Sequence, residues 1–167
     1  ETIHSYTNDQ NLLDNCHEKY RRGRSAALNM VITETGAADA SAKTIPSLNG
    51  KLTASAVRVP TPNVSLAILR LTVESETSKD QINQILKDAA LKGDLVEQIQ
   101  YSYSNELVSS DIVGNACAAI FDSPATIVAN DKKNIVLYVW YDNEYGYSRQ
   151  VIRLAKYIAN VVRMKYY

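Results

Sequence analysis

The chain has 167 residues, 46% of them apolar, and 18 Lys+Arg balance 18 Asp+Glu to give no formal net charge. That length suits one domain with a real buried core. The balanced charge gives no support for general nucleic-acid or anionic-membrane binding, which needs a basic excess or a basic face.

The two cysteines, Cys16 and Cys117, are far apart and in no metal-ligand spacing. They make no disulfide framework and imply no metal, so a reducing, cytoplasmic setting is expected. No charged-then-apolar leader and no apolar run of membrane length is visible in the sequence, and a soluble protein is expected.

In chain order, Thr2-Ile3-His4-Ser5-Tyr6 is strand-like from the outset, whereas natural domains usually begin in polar, mobile residues. Starting on Glu1, the chain reads as cut from something larger. Residues 5–23 are polar and irregular and run into Lys19-Tyr20-Arg21-Arg22-Gly23-Arg24, a loop of a length that is either functional or disordered. A helix is expected after Thr35-Gly36, through Ala37, Ala38 and Ala40, stopping before Pro46. Two strands follow, Ala54 to Val59 and Val64 to Val73, separated by Pro60-Thr61-Pro62-Asn63. Ser78-Lys79-Asp80-Gln81 has capping-box spacing, and Ile82, Ile85, Leu86 and Ala89 continue at helical intervals.

From residue 98 short strands are expected at Ile99–Ser102, Leu107–Ile112, Ala116–Phe121, Thr126–Ala129 and Ile135–Trp140. Asn130-Asp131-Lys132-Lys133-Asn134 forms the hairpin turn between the last two. The chain closes on a helix whose apolar stripe is Val151, Leu154, Ala155, Ile158 and Val162. Strands in consecutive runs with helices set apart predict an α+β fold, a largely antiparallel or mixed sheet with helices packed on one face. No G-x-G-x-x-G lies between a strand and a helix, so this sequence carries no dinucleotide-binding fingerprint of its own.

Several segments could carry chemistry. His4 leads from a strand into a long polar loop, where functional groups concentrate, although a lone histidine beside a strand is more often a structural hydrogen-bonder than a catalyst. His17, beside Cys16, reads as an ordinary loop residue. Thr35-Gly36 at a helix start could offer backbone N–H groups and a hydroxyl to an anion, or could simply start the helix. Arg58, held stiffly ahead of Pro60 and Pro62, could bind phosphate bidentately or make a surface ion pair. Arg21, Arg22 and Arg24 could seek phosphate, contact another subunit or be solvated. Trp140-Tyr141-Asp142-Asn143-Glu144-Tyr145-Gly146-Tyr147-Ser148 could be a strand–helix corner, or could offer an amide and a ring to a planar ligand.

Taken together, six collinear segments resemble the glyceraldehyde-3-phosphate dehydrogenases. They are Thr2 to Gln10, Arg21-Arg22-Gly23-Arg24, Thr35-Gly36-Ala37-Ala38, Gly50-Lys51-Leu52, Arg58 to Ser65, and Trp140 to Ser148. The resemblance implies an α+β catalytic domain in which a cysteine thiol attacks the aldehyde and His4 pairs with that thiol. It further implies Thr7 and Arg58 as ligands of the substrate phosphate. Thr35, Gly36 and Arg22 would line the site of the attacking inorganic phosphate, with Arg21 the neighbouring alternative to Arg22. Asn143 would bond the nicotinamide carboxamide, with Tyr147 beside the ring.

Implied for the full-length parent are NAD or NADP as cofactor, glyceraldehyde 3-phosphate and inorganic phosphate as substrates, and a homotetramer in which loop 5–23 borders the cofactor and a neighbouring subunit. The sequence departs from the family in lacking, before His4, the Ser-Cys-Thr-Thr-Asn-Cys segment that carries the nucleophile, and in lacking the nucleotide-binding half. Cys16 also stands where relatives commonly have proline. Residues 1–167 are therefore expected to form a single, N-terminally truncated catalytic domain, inactive alone and without bound cofactor. The alternatives are an erythrose-4-phosphate dehydrogenase and a non-catalytic binding or oligomerisation module.

Overall fold

The computed structural model describes residues 1–161. Strand β1 (Thr2–Ser5) opens the chain, and β2 (Val31–Thr33) follows the long loop. Next come helix α1 (Ala37–Thr44), strands β3 (Ala56–Val59) and β4 (Ser65–Thr72), helix α2 (Lys79–Leu91) and strand β5 (Ile99–Ser102). The short helix α3 (Ser109–Ile112), strands β6 (Ala119–Asp122), β7 (Ile127–Val128) and β8 (Asn134–Tyr141), and helix α4 (Tyr145–Ile158) complete the order.

All eight strands join one sheet in the order β2-β3-β1-β4-β8-β6-β5, with β7 on β8. Only β1–β3 and β5–β6 run parallel; the remaining pairs are antiparallel, which is the mixed α+β architecture expected. The long β4–β8 ladder is the spine, paired from Ser65↔Tyr141 to Thr72↔Asn134. Along the other edge of β8, β7 takes Ile135 and Val136 while β6 takes Val139 and Trp140.

Successive residues of a strand point to opposite faces, and two apolar clusters use the two faces. Phe121, Ile135 and Leu137 are buried under Ile82 and Leu86 of α2. Ile120, one residue earlier, packs on the other side with Val64, Ile112 of α3 and Trp140. The α2 stripe meets the first cluster because the capping box starts the helix in phase: Ser78 Oγ accepts from Gln81 N–H and Gln81 Oε1 accepts from Ser78 N–H.

Four local expectations needed correction. Val31–Thr33 is a strand that the pattern did not announce, a three-residue edge strand with only β3 as neighbour. Leu107–Ile112 is not a strand; the Asp111 carboxylate accepts from Val108 N–H and closes a helical turn, which drives Ile112 into the core. The sixth strand begins at Ala119, so Ala116 and Cys117 lie in the bend before it. The last helix starts at Tyr145, which puts Gly146 inside its first turn rather than ahead of it. Val162, the last member of the expected apolar stripe, lies outside the described residues.

Loop 5–23 is ordered by its own hydrogen bonds. Asn11 N–H donates to the Arg22 carbonyl (3.1 Å), Asn15 N–H to the Gly23 carbonyl (2.9 Å) and Ala26 N–H to the Asn11 carbonyl (2.9 Å). Gly23 is required at that crossing, since a Cβ there would sit 2.4 Å from the Asn15 carbonyl oxygen. Among the described residues no helix is long and apolar enough to cross a membrane.

Candidate active site

The register of the sheet brings the site together. Parallel pairing sets His4 of β1 directly beside Arg58 of β3. On the other side of β1, β4 carries Ser65, whose partner on β8 is Tyr141. The His4 ring meets Tyr141 edge-on, with centroids 6.3 Å apart and planes at 75°. A cavity of about 350 Å³ opens here, lined by His4, Ala118, Tyr141, Asn143, Tyr147 and Gln150 among others. Three expected site residues, His4, Asn143 and Tyr147, thus share one cavity. A wider groove of about 820 Å³ between the end of β4 and α2 holds none of them and has an acidic rim of Glu74, Glu76 and Asp88.

His4 is oriented by its own backbone. Its Nδ1 lies 2.7 Å from the Ser5 carbonyl oxygen. A carbonyl only accepts, so Nδ1 carries the proton and the neutral ring keeps its lone pair on Nε2. Burial holds His4 below the usual histidine value, Arg58 adds to the effect, and the bond to Ser5 opposes it. The ring is therefore a neutral imidazole at physiological pH, in a protonation state to receive a proton.

Arg58 donates from Nη1 to Thr7 Oγ1 at 2.6 Å, which joins two of the expected phosphate ligands. Its Nε is buried without a partner among the described residues, an unmet donor that neighbouring side chains would have to move to expose to an anion. Burial, then the charge of Arg22, lowers its affinity for its own proton. Arg22 is mostly enclosed and donates from Nε and Nη2 to Thr33 Oγ1 (2.9 and 2.7 Å) while pairing with Asp9. Arg21 lines a separate small cavity with Arg24, Asn29 and Met30.

Thr35 and Gly36 stand at the start of α1, two residues beyond the Thr33 that Arg22 holds. Thr35 Oγ1 accepts from Ala37 N–H (3.2 Å), and Gly36 is exposed at the N-cap. No hydrogen bond ties either residue to Arg22 or Arg58, so the link to the site is through β2 alone.

The residues that organise the cavity were not anticipated. Asp142 is only 2% exposed, yet its carboxylate accepts from Gly114 N–H (2.8 Å), Glu144 N–H (2.9 Å), Tyr145 N–H (2.8 Å) and Asn63 Nδ2 (3.0 Å). Burial pushes its pKa up, but these bonds more than offset it and the carboxyl titrates below its ordinary range. Asp142 thereby caps α4 and ties it to the turn after α3 and to Asn63. Asn63 in turn accepts from Val64 N–H, and Val64 is held at φ 72, a left-handed conformation costly for a β-branched residue. Burial of the Val64 side chain in the core keeps it there. Gly146 completes the corner, since a Cβ on it would meet the Cys117 carbonyl oxygen at 3.0 Å.

Ser5 is fully buried between His4 and Asn143. Its Oγ donates to Asn143 Oδ1 at 2.9 Å, and Ser65 Oγ donates to the same oxygen at 3.2 Å. Both serines lie in segments that carry the family resemblance, but nothing in those segments singles either out as a site residue.

Neither cysteine is placed to pair with His4. Cys16 is exposed in the loop. Cys117 lines a different cavity with Lys87, Leu91 and Tyr101, and burial, with help from Glu97, pushes its thiol up, away from thiolate.

Comparison with known proteins places the chain in a family. A family model described as glyceraldehyde 3-phosphate dehydrogenase, C-terminal domain, matches residues 1–143. A glyceraldehyde-3-phosphate dehydrogenase-like protein of Pseudomonas aeruginosa is 58% identical over 161 residues, which cover 96% of this chain and 34% of that protein. Glyceraldehyde-3-phosphate dehydrogenase 2 of Trichormus variabilis is 48% identical, with 95% of this chain and 46% of its own length covered. Glyceraldehyde-3-phosphate dehydrogenase 1 of Bacillus subtilis is 47% identical over the same shares. The chain spans from about a third to just under half of the length of these relatives. With the family model covering most of its residues and a mixed eight-stranded sheet beneath them, this chain belongs to the glyceraldehyde-3-phosphate dehydrogenase family, whose C-terminal domain it matches.

Proposed function

We propose that residues 1–167 are the catalytic domain of a longer, phosphorylating glyceraldehyde-3-phosphate dehydrogenase, with His4 as its acid–base group. The observation that carries this is His4 itself: Nδ1 is fixed on the Ser5 carbonyl, Nε2 is left free, and Arg58 stands alongside. The relatives named for this activity support it.

The nucleophile in this reading is a thiol supplied from outside these residues. His4 Nε2 first takes the thiol proton; as the thiolate adds to the aldehyde carbon, the imidazolium so formed returns that proton to the developing oxyanion and a hemithioacetal forms. Nε2 then takes back the hydroxyl proton while hydride leaves the same carbon, which raises it to a thioester. Inorganic phosphate attacks the thioester carbonyl, the thiolate departs, and an acyl phosphate is the product. The imidazolium formed when His4 takes the thiol proton stabilises the thiolate beside it and so lowers the thiol's pKa.

Arg58 and Thr7 hold the substrate phosphate, a role that fits the buried free donor on Arg58. Arg22, Thr35 and Gly36 serve the attacking phosphate, and Arg22 must loosen its pairing with Asp9 to do so. NAD or NADP, when bound, accepts the hydride. Asn143 and Tyr147 fit its nicotinamide end: Asn143 Oδ1 is already saturated by two hydroxyls, which leaves its NH₂ for a carboxamide oxygen, and Tyr147 lines the same cavity. Exposed Leu12, Leu13, Leu28, Met30 and Ile32, an apolar set in and after loop 5–23, support assembly with further copies as a homotetramer.

The test is NADH or NADPH formation by the full-length protein with glyceraldehyde 3-phosphate or erythrose 4-phosphate, with and without inorganic phosphate. Phosphate-dependent turnover favouring the triose is expected. A preference for the tetrose would move the assignment to erythrose-4-phosphate dehydrogenase. No turnover of either aldehyde would leave a non-catalytic module.

A further inference from the structure

Ser5 touches both the acid–base histidine and the Asn143 amide at the nicotinamide end of the cavity. Its carbonyl accepts from His4, its hydroxyl donates to Asn143 Oδ1, and its N–H donates to Ser65 Oγ at 3.3 Å. Ser65 Oγ accepts that fixed backbone proton, and its own hydroxyl donates to Asn143 Oδ1, with the Tyr141 hydroxyl as a further neighbour. Two hydroxyl donors on Asn143 Oδ1 favour the amide orientation seen here over its half-turn alternative.

The placement supports this. Ser5 and Ser65 are buried, with 0% and 2% exposure, where a hydroxyl must find partners within the protein. Asn143 follows Asp142, whose four accepted bonds fix the backbone of this corner. With the backbone clamped, the remaining freedom of Asn143 is in its side chain, including the half-turn that exchanges Oδ1 and Nδ2. A neutral amide has no charge to favour one orientation over the other.

We propose that Ser5 and Ser65 are positioning residues that lock the Asn143 amide with its NH₂ toward the nicotinamide carboxamide. This rests on the cofactor reading given above. The two serines touch no reacting atom and act through Asn143. Their contribution is therefore confined to ligands that carry the carboxamide and absent for ligands that end before it.

That separation supplies the test. Dissociation constants for NAD (or NADP, whichever the protein uses) and for ADP-ribose, or its 2′-phosphate, are measured by titration calorimetry on the full-length protein. The ADP-ribose ligand keeps the adenosine, ribose and phosphates and lacks the nicotinamide. The proteins compared are the unaltered form, Ser5→Ala, Ser65→Ala, Asn143→Ala, and Ser5→Ala combined with Asn143→Ala. Each serine variant is expected to weaken dinucleotide binding about fivefold, the loss of one neutral hydrogen bond, and to leave ADP-ribose binding unchanged. In the Asn143→Ala background, Ser5→Ala should have no further effect.

Unchanged dinucleotide binding in both serine variants would overturn the proposal. Equal weakening of both ligands would also overturn it, by revealing a general structural defect, as would persistence of the Ser5→Ala effect without Asn143. Failure of the unaltered protein to bind either dinucleotide would overturn the cofactor reading itself, and this inference with it.

Discussion

Asp142→Asn probes how the corner between β8 and α4 is held. The substitution keeps shape and volume but turns one acceptor oxygen into a donor. Each carboxylate oxygen now takes two bonds, Oδ1 from the amides of Glu144 and Tyr145, and Oδ2 from Gly114 N–H and Asn63 Nδ2. Whichever way the new amide turns, two donors lose their acceptor and face an NH₂. Hydrogen bonds to a charged group contribute about 1.5–3 kcal/mol each, so the loss is about 3–6 kcal/mol before relaxation. That is a large part of the ~5–15 kcal/mol that holds a domain folded.

Urea unfolding of this chain, followed by the fluorescence of its single tryptophan, Trp140, reads the change directly. With a slope of about 2 kcal/mol per molar urea, the midpoint should fall by more than about 1 M. The pH dependence gives a second check. Asp142 titrates lower in the folded state than its ordinary value. Its stabilisation is therefore present in full above the unfolded pKa of about 3.9 and is lost as pH falls through the lower folded value. The Asp142→Asn variant should lack that acid-side component. A midpoint loss equivalent to less than about 1 kcal/mol would refute the reasoning.

Other outcomes follow from the same geometry. His4→Asn should cut aldehyde oxidation by the full-length protein about 10²–10⁴-fold, the usual contribution of a positioned acid–base group, with little change in urea midpoint. In an NMR titration of the folded chain, His4 should titrate below the ordinary histidine value, and Arg58→Gln should move it upward by removing a neighbouring positive charge. Gly23→Ala should destabilise the loop by about 1–3 kcal/mol, as for overpacking, because the added Cβ would fall 2.4 Å from the Asn15 carbonyl oxygen; faster proteolysis between residues 11 and 24 would report it. The 167-residue polypeptide alone should form no NADH, and thiol-dependent formation would contradict the placement of Cys16 and Cys117 outside the site.

What could be read from the sequence was what depends on local pattern. The capping box at Ser78–Gln81 and the alternation along β4 and β8 follow from the chemistry of a few consecutive residues, and they folded as expected. Val31–Thr33 escaped because three residues are too few to show a period, and Leu107–Ile112 misled because Leu107, Val108 and Ile112 are strand formers while Asp111 closes a helical turn between them. The site divides in the same way. His4, Arg58 and Asn143 stood in quoted segments, but their meeting depends on the β1–β3 and β4–β8 registers, which are set by contacts more than 50 residues apart. Ser5, Ser65 and Asp142 acquire roles only through those long-range partners, so no composition or spacing could single them out.

The central claim, that His4 is the acid–base partner of an activated thiol, is tested most directly by the pH profile of thiol alkylation. The full-length protein is treated with iodoacetamide over a range of pH, unaltered and as His4→Asn, and modification of the nucleophilic cysteine is followed by mass spectrometry. The account predicts rapid alkylation near neutral pH in the unaltered protein, and in the variant a profile moved up toward the ordinary thiol range near about 8.5. Superimposable profiles in the two proteins would contradict it.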